Sequence, residues 1–240
     1  KSIAIRLVGG NRAEGNLEPT GSEWIRPIQR QSLSELAYTS LREALMEGRM
    51  KPGDELPLRP ISKSFGISAT PMREALLRLV TEHALEMDGR GRISVPHLTR
   101  ATLIEVRKIR GFLEGNAARQ AALAASPEAV DALEQIHVDL GAAQDKGDFS
   151  RAIGLNTKFH LKLCEIAGLP VTYEVVSNLW VRCGPLLSHL YDAGLPPDWE
   201  PHPHLRIVKA IRGKDPEGAY EALNIDIEGG GAGLLAHVRD

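Results

Sequence analysis

Aromatic residues, cysteines and long hydrophobic runs are all scarce in this chain of 240 residues. Only 5% of the residues are aromatic, and the two cysteines, Cys164 and Cys183, lie in apolar helical patterns that indicate reduced core residues. No apolar run is long enough to span a bilayer, and Arg6 interrupts the short apolar stretch near the start, so we expect no signal peptide. The sequence predicts a cytoplasmic protein without a membrane partner.

The patterns of the common catalytic sites are also missing. The chain has no Ser/His/Asp order, no glycine-rich phosphate loop and no Cys-x-x-Cys motif. Nothing in it resembles a nucleophile beside an activating base. We therefore predict that the protein is not an enzyme.

A strong net charge is absent as well, since the formal charge is -2 at pH 7. Residues 1–98 contain 14 basic and 12 acidic side chains, whereas residues 99–240 contain 15 and 19. The difference is small, but its sign fits a first half that contacts DNA. Hydrophobic residues make up 42% of the chain, which is enough for a packed core, and the abundance of Ala and Leu favours helices.

The order of patterns over residues 31–98 predicts a winged helix-turn-helix domain. Residues 1–30 show no sustained periodicity and predict a tail or flexible arm. A helical apolar stripe begins at Leu33, and a second short helix covers about residues 58–65. Gly66 allows the positive φ that the turn to a third helix needs.

The third helix suits insertion into the major groove of DNA. Thr70 can cap it, and Pro71 fits the first helical position, where a missing N–H costs nothing. Arg73 lies on a different face from the apolar residues Met72 and Leu76. An ordinary surface helix explains the same pattern equally well.

Two short strands follow and predict a hairpin, the wing of the domain. Arg90 and Arg92 flank Gly91 at its tip, where close approach to a phosphate or a minor groove is sterically easy. The alternative for each arginine is a solvated loop residue.

Residues 99–230 predict an antiparallel all-α bundle, so the fold class is mainly α. Ser126 and Pro127 form a helix-start signal, and three glycines at 229–231 end the last long helix. We expect residues 231–240 to be a frayed C-terminal tail.

A metal site is one interpretation of the polar residues inside the bundle. Asn156 and His160 are four residues apart and share a helix face that borders the core. With His204 and Asp226 they offer two imidazoles, a carboxylate and an amide oxygen, a set that binds Zn²⁺ and other first-row metals. In the other interpretation, His160 is a hydrogen-bonded core residue and the rest lie on the surface.

Arg110 raises a question of its own, because a buried arginine is costly unless it is paired. It is exposed, paired with Glu114 four residues later, or available for an anionic ligand. Arg182 raises the same question.

Residues 41–45, 48–56 and 65–79 together resemble the DNA-binding domain of GntR-type bacterial transcription regulators. The second half is similar to the ligand-sensing FCD domain of the FadR subfamily, and the resemblance covers about residues 33–228. The positions that carry the second similarity are Arg110 with Glu114, Asn156 with His160, and His204.

The resemblance implies a homodimer that binds a short palindromic operator as double-stranded DNA and responds to a small organic acid. The residues that it places at the DNA are Arg59, Ser68, Ala69, Thr70, Arg73 and, in the wing, Gly91. Arg90 joins them because it lies beside Gly91 at the tip of the predicted hairpin. Ala69 departs from the arginine usual in the family, which removes one expected contact and alters operator preference.

In the family, an Asp or Asn and three His hold a metal ion, and these positions fall on Asn156, His160, His204 and Asp226. Asp226 stands in place of the third His, so the resemblance implies a divalent ion, Zn or Ni, with altered preference, or a vestigial site. It also implies that Arg110 pairs with the carboxylate of the ligand. From its place in the bundle we expect Arg182 to bind the ligand as well.

Two other functions stay open at this point. One is a metal-dependent enzyme that uses His160, His204 and Asp226 on a small carboxylate, with the winged domain as a docking module. The other is a winged-helix interaction protein without a ligand.

Overall fold

The computed structural model describes residues 32–191, 200–230 and 233–238. The arm predicted for residues 1–30 lies outside the described residues. The helices are α1 Leu33–Met46, α2 Leu58–Phe65, α3 Ala69–Thr81, α4 Arg100–Ala124, α5 Pro127–Asp145, α6 Phe149–Ile166, α7 Pro170–Leu187, α8 Pro203–Arg212 and α9 Pro216–Gly230. The strands β1 Glu86–Met87 and β2 Ile93–Ser94 pair antiparallel. The mainly α fold class is thereby confirmed.

Helices α1 to α3 and the hairpin form the predicted winged helix-turn-helix. Gly66 ends α2 with φ +66°, as the turn to α3 requires. Met72, Leu76 and Leu79 are fully buried against α1, which confirms the predicted apolar face of α3. Because that face is buried, the opposite side of α3 faces solvent.

The start of α3 differs from the prediction. The helix begins at Ala69 with Ser68 as its N-cap, so Thr70 is not the cap and Pro71 is the third helical residue. The first four N–H groups of any helix lack an acceptor within it, so proline is tolerated throughout the first turn and does not mark the first position.

Helices α4 to α9 form the predicted bundle. Ser126 caps α5 by accepting a hydrogen bond from the N–H of Ala129 at 3.2 Å, and Pro127 is its first residue, as predicted. The C-terminal prediction is wrong in one respect. Leu234 lies in a 3₁₀ turn, Gly233–Ala236, and is buried in a cluster with Leu103 and Val106, which excludes a frayed end there.

Helix α7 belongs to both parts of the fold. Val181 packs in the core of the winged domain, while Trp180 and Cys183 pack in the bundle. Asn178 accepts a hydrogen bond from Arg42 of α1 at 2.7 Å. Gly184 lies directly against the backbone of α1, where a side chain would not fit.

Both cysteines are free and buried, as predicted. Among the described residues, no helix combines the length and the apolar character needed to cross a membrane.

The close contact between α1 and α7 makes a stability prediction. A Cβ atom on Gly184 would lie 2.8 Å from Cα of Met46 and closer still to the carbonyl oxygen of Leu45. We expect Gly184→Ala to lower the free energy of unfolding by about 1–3 kcal/mol in urea denaturation, as overpacking does.

Gly141→Ala is the matched control. Gly141 lies inside α5 with open space around its Cα, so alanine should raise stability by about 0.5–1 kcal/mol through helix propensity. Equal effects of the two substitutions would contradict the tight packing of α1 on α7.

Candidate functional site

A small cavity of about 50 Å³ lies inside the bundle. Its walls come from α4, α5, α6, α7 and α9 and from the segments after α7, before α8 and after α9, and they are mostly apolar. Four residues predicted from the sequence line it together: Arg110, Asn156, His160 and Asp226. The structure therefore brings one predicted ligand residue and three predicted metal ligands to the same place.

His160 is held between two buried carboxylates. Its Nδ1 lies 2.7 Å from Oε2 of Glu114, and its Nε2 lies 3.0 Å from Oδ2 of Asp226. Burial disfavours the charged ring, but the two carboxylates outweigh it and raise the pKa of His160. An ionised Glu114 only accepts, so Nδ1 donates to it. A carboxylate behind the ring is the usual partner of a metal-bound histidine, and here it leaves Nε2 directed toward Asp226.

His204 completes the group. It is fully buried, stacks on Phe159 with ring centroids 3.8 Å apart, and lies with Nε2 at 3.6 Å from Oδ1 of Asp226. Neither of its nitrogens finds a hydrogen-bond partner among the described residues. Burial lowers the pKa of His204, so the ring is neutral near pH 7 and offers a lone pair to a metal.

The donor atoms of His160, His204 and Asp226 lie within 4.8 Å of one another. Burial would raise the pKa of Asp226, but the two imidazoles hold it well below its usual range, so the carboxylate is ionised. Two imidazole nitrogens, a carboxylate and the Asn156 amide fit a first-row divalent ion, which would replace the proton on Nε2 of the charged His160 ring.

Sequence reasoning missed a second histidine group beside the first. His137 of α5 and His202, the N-cap of α8, join His204 with donor atoms within 4.8 Å. Burial and the nearby His204 lower the pKa of His137 to about 4 and that of His202 to about 3. His137 stands four residues after Leu133 and three before Leu140, both buried, so helical spacing alone would have placed it facing the core.

Arg110 takes the paired alternative of the three that the sequence left open. Its Nε donates to Oε1 of Glu114 at 2.7 Å, and its guanidinium stacks on Trp180 at 3.6 Å. Burial would raise the pKa of Glu114, but Arg110 and His160 lower it, so the carboxylate balances two cations. Sequence spacing predicted the first of these contacts and not the second.

The structure does not place Arg182 beside Arg110. Arg182 follows Trp180 by two residues on α7, which turns its side chain about 200° away from the ring that lines the cavity. It is absent from the cavity wall as the described residues define it.

All residues predicted to contact DNA are exposed, namely Arg59, Ser68, Ala69, Thr70, Arg73, Arg90 and Gly91. They belong to α2, to the start of α3 and to the wing. Arg73, Gly91 and Arg92 line one surface cleft of about 320 Å³ between α3 and the hairpin. One surface thus carries both the helix and the wing.

The arginines on this surface differ in their ion-pair partners. Arg92 pairs with Asp88 at 2.8 Å and with Glu55 at 3.3 Å, so its charge is neutralised by neighbouring carboxylates and stabilises the wing. Among the described residues, Arg59, Arg73 and Arg90 have no carboxylate within ion-pair distance, so their charges face solvent.

Two family descriptions match the chain at these regions. Residues 33–95 match the bacterial regulatory proteins of the gntR family, and residues 105–229 match the FCD domain. The chain is 34% identical to the HTH-type transcriptional regulator McbR of Escherichia coli (strain K12) over 195 residues, which is 80% of this chain and 88% of McbR. The HTH-type transcriptional repressor NanR of Enterobacter sp. (strain 638) is 27% identical and covers 88% of this chain and 89% of its own length.

A solved structure of E. coli McbR/YncC superposes with a TM-score of 0.80 at 32% identity, covering 87% of this chain and 99% of that one. A GntR regulator from Rhodococcus sp. RHA1 superposes with a TM-score of 0.72 at 18% identity, which supports the fold alone. These relatives are regulators, so the alternative of a metal-dependent enzyme has no support. The chain belongs to the GntR family of bacterial regulatory proteins, carries an FCD domain in its second half, and is a transcription regulator.

Proposed function

We propose that this regulator binds a palindromic operator as a homodimer in the cytoplasm. We also propose that a small carboxylate, bound with a divalent metal ion in the bundle, changes its DNA affinity. The observation that carries the proposal is the position of α7. This helix lines the cavity with Trp180 and Cys183 and packs against α1 of the winged domain through Asn178 and Gly184.

The amino end of α3 supports the DNA part of the proposal. Ser68 makes no side-chain cap hydrogen bond, so the N–H groups of the first turn are available to a phosphate. Arg73 lies one turn further along and is suited to base edges or phosphate, with Thr70 beside it. Arg59 and Arg90 extend the same exposed surface and supply backbone contacts. Ala69 contributes little, so the others carry more of the binding.

Exposed apolar side chains support the dimer. Phe112 on α4 is 64% exposed and lies beside a surface depression formed with Tyr220 and Asn224 of α9. Large apolar residues in such a position mark interaction sites. A two-fold dimer would present two recognition helices to half-sites about one helical turn apart.

Light scattering should then give a mass of twice the 26.2 kDa of one chain. A mass of one chain would contradict the dimer.

The metal part is supported by the donor set of Asn156, His160, His204 and Asp226. Zn²⁺ or Ni²⁺ fits these nitrogen and oxygen atoms. A bound ion would supply a positive charge that a ligand carboxylate can coordinate. Glu114 orients His160, and Asp226 neutralises part of the added charge.

Coupling between the two sites follows from packing. A ligand that displaces Trp180 or Cys183 moves α7, and α7 cannot shift without changing the contacts that its residues Asn178 and Gly184 make with α1. Because α1 also packs on α3, the position of the recognition helix depends on the cavity.

Substitution of Arg73 tests the assignment of α3 as the recognition helix. Arg73→Ala should reduce binding at least tenfold to a duplex that the unchanged protein selects from a random pool, because a charged contact to DNA is lost. The thermal melt should stay unchanged, since Arg73 is exposed. The measurement is a gel-shift titration.

Arg49→Ala is the control, because it removes the same charge from the winged domain at a residue paired with Glu47. It should bind the duplex like the unchanged protein. Full binding by Arg73→Ala would contradict the assignment of α3 as the recognition helix.

Substitution of His160 tests the proposed metal site. His160→Ala should lower the metal content by about one equivalent per chain in elemental analysis after dialysis against Zn²⁺ or Ni²⁺, since one ligand of the set is lost. His83→Asn, an exposed residue on the winged domain at φ 58°, is the control and should retain the metal. Equal metal content in all three proteins would reject the site.

A further inference from the structure

A carboxylate ligand needs a cation that is still available, and Arg110 is not. Both Oε atoms of Glu114 face its guanidinium, at 2.7 Å and 3.4 Å, and the Trp180 ring covers one side of it. An incoming carboxylate would have to compete with Glu114, which is fully buried and also holds His160. Displacing a buried carboxylate from two cations is strongly unfavourable.

Arg107 lines the same cavity, three residues before Arg110 on α4. Its Nη2 donates to the carbonyl oxygens of Ile227 and Glu228 at 3.1 Å and 2.5 Å, and these groups carry no net charge. Its Nε is buried and has no hydrogen-bond partner among the described residues. Within that part of the chain, no carboxylate lies within ion-pair distance of Arg107.

The environment of Arg107 is therefore short of negative charge. Burial lowers the pKa of Arg107 and outweighs the opposing effect of Glu228, while the neighbouring Arg110 lowers it further. A cation in this position gains from an anion that enters the cavity and reaches Nε.

The size of the cavity limits that anion. A water molecule needs roughly 10–15 Å³ of such volume, so about 50 Å³ holds about four water-sized groups. The walls beside Arg107 are apolar and include Leu103, Val106 and Leu234. A short aliphatic chain with one carboxylate matches both the volume and the walls, whereas a tricarboxylate matches neither.

We propose that Arg107, and not Arg110, receives the effector carboxylate, and that the effector is a short-chain monocarboxylate of about four to six non-hydrogen atoms. This inference rests on the proposed function, in which the bundle cavity binds a small carboxylate.

Calorimetric titration of the metal-loaded protein with propionate, propionamide and citrate tests it. Propionate should bind at least tenfold more tightly than propionamide, its neutral analogue of the same size, and citrate should not bind. Arg107→Met should lose at least tenfold in propionate affinity and should no longer distinguish propionate from propionamide. A merely structural role of Arg107 would weaken both compounds equally and would overturn the assignment.

Arg107→Lys keeps the charge and should keep the preference for propionate over propionamide, at reduced affinity. Arg100→Met, which removes an exposed arginine from the same helix, is the matched control and should behave like the unchanged protein. Propionate binding to Arg107→Met at the original affinity would overturn the role of Arg107 and leave the proposed function intact. Citrate binding in place of propionate would overturn the size class, and failure of the unchanged protein to bind any carboxylate would reject the proposed function as well.

Discussion

The polar centre of the bundle depends on one buried carboxylate. Glu114 is fully buried and lies 2.7 Å from both Nε of Arg110 and Nδ1 of His160. Without it, Arg110 would lie in an apolar interior without its carboxylate partner, and breaking such a buried pair typically costs about 3–5 kcal/mol. Glu114 also determines what its partners can do. It neutralises the charge of Arg110, and it turns Nε2 of His160 toward Asp226 and the metal position that we propose.

Helix α7 gives this centre its connection to the DNA-binding domain. The Trp180 ring covers Arg110 on one side of the helix, and Asn178 and Gly184 contact α1 on another. Since proteins are packed almost as tightly as crystals, a displacement at the cavity must be transmitted or absorbed by these contacts. Because Gly184 lies directly against the backbone of α1, these contacts leave little space in which a displacement of α7 could be absorbed. In the function that we propose, α7 therefore connects the bundle cavity directly to the winged domain.

Local sequence rules predicted the elements well and the polar contacts less well. Ser126 with Pro127, Gly66 and the apolar spacing of Met72, Leu76 and Leu79 each depend on neighbours within one or two turns, and the structure confirms them. The grouping of His160, His204 and Asp226 came from combining helix periodicity with the family resemblance.

The contacts that the sequence could not predict join residues that are distant along the chain. Glu114 and His160 are 46 residues apart, and no local spacing indicates their contact. His202 lies only two residues before His204, but His137 approaches both of them only because α5 and α8 pack together. Arg110 was expected to receive a ligand, but the choice between Glu114 and an outside anion depends on burial, which one sequence does not show. The residues at the DNA surface remain a prediction, since exposure permits contact without proving it.

We propose that the bundle cavity controls DNA affinity through α7. The most direct measurement is the dissociation constant of the metal-loaded protein for its selected operator duplex, with and without saturating propionate. We expect propionate to change this dissociation constant by about 5- to 150-fold, the range of typical coupling energies, and bound DNA to change the propionate affinity by the same factor. Bound propionate that leaves the dissociation constant for DNA unchanged would contradict it.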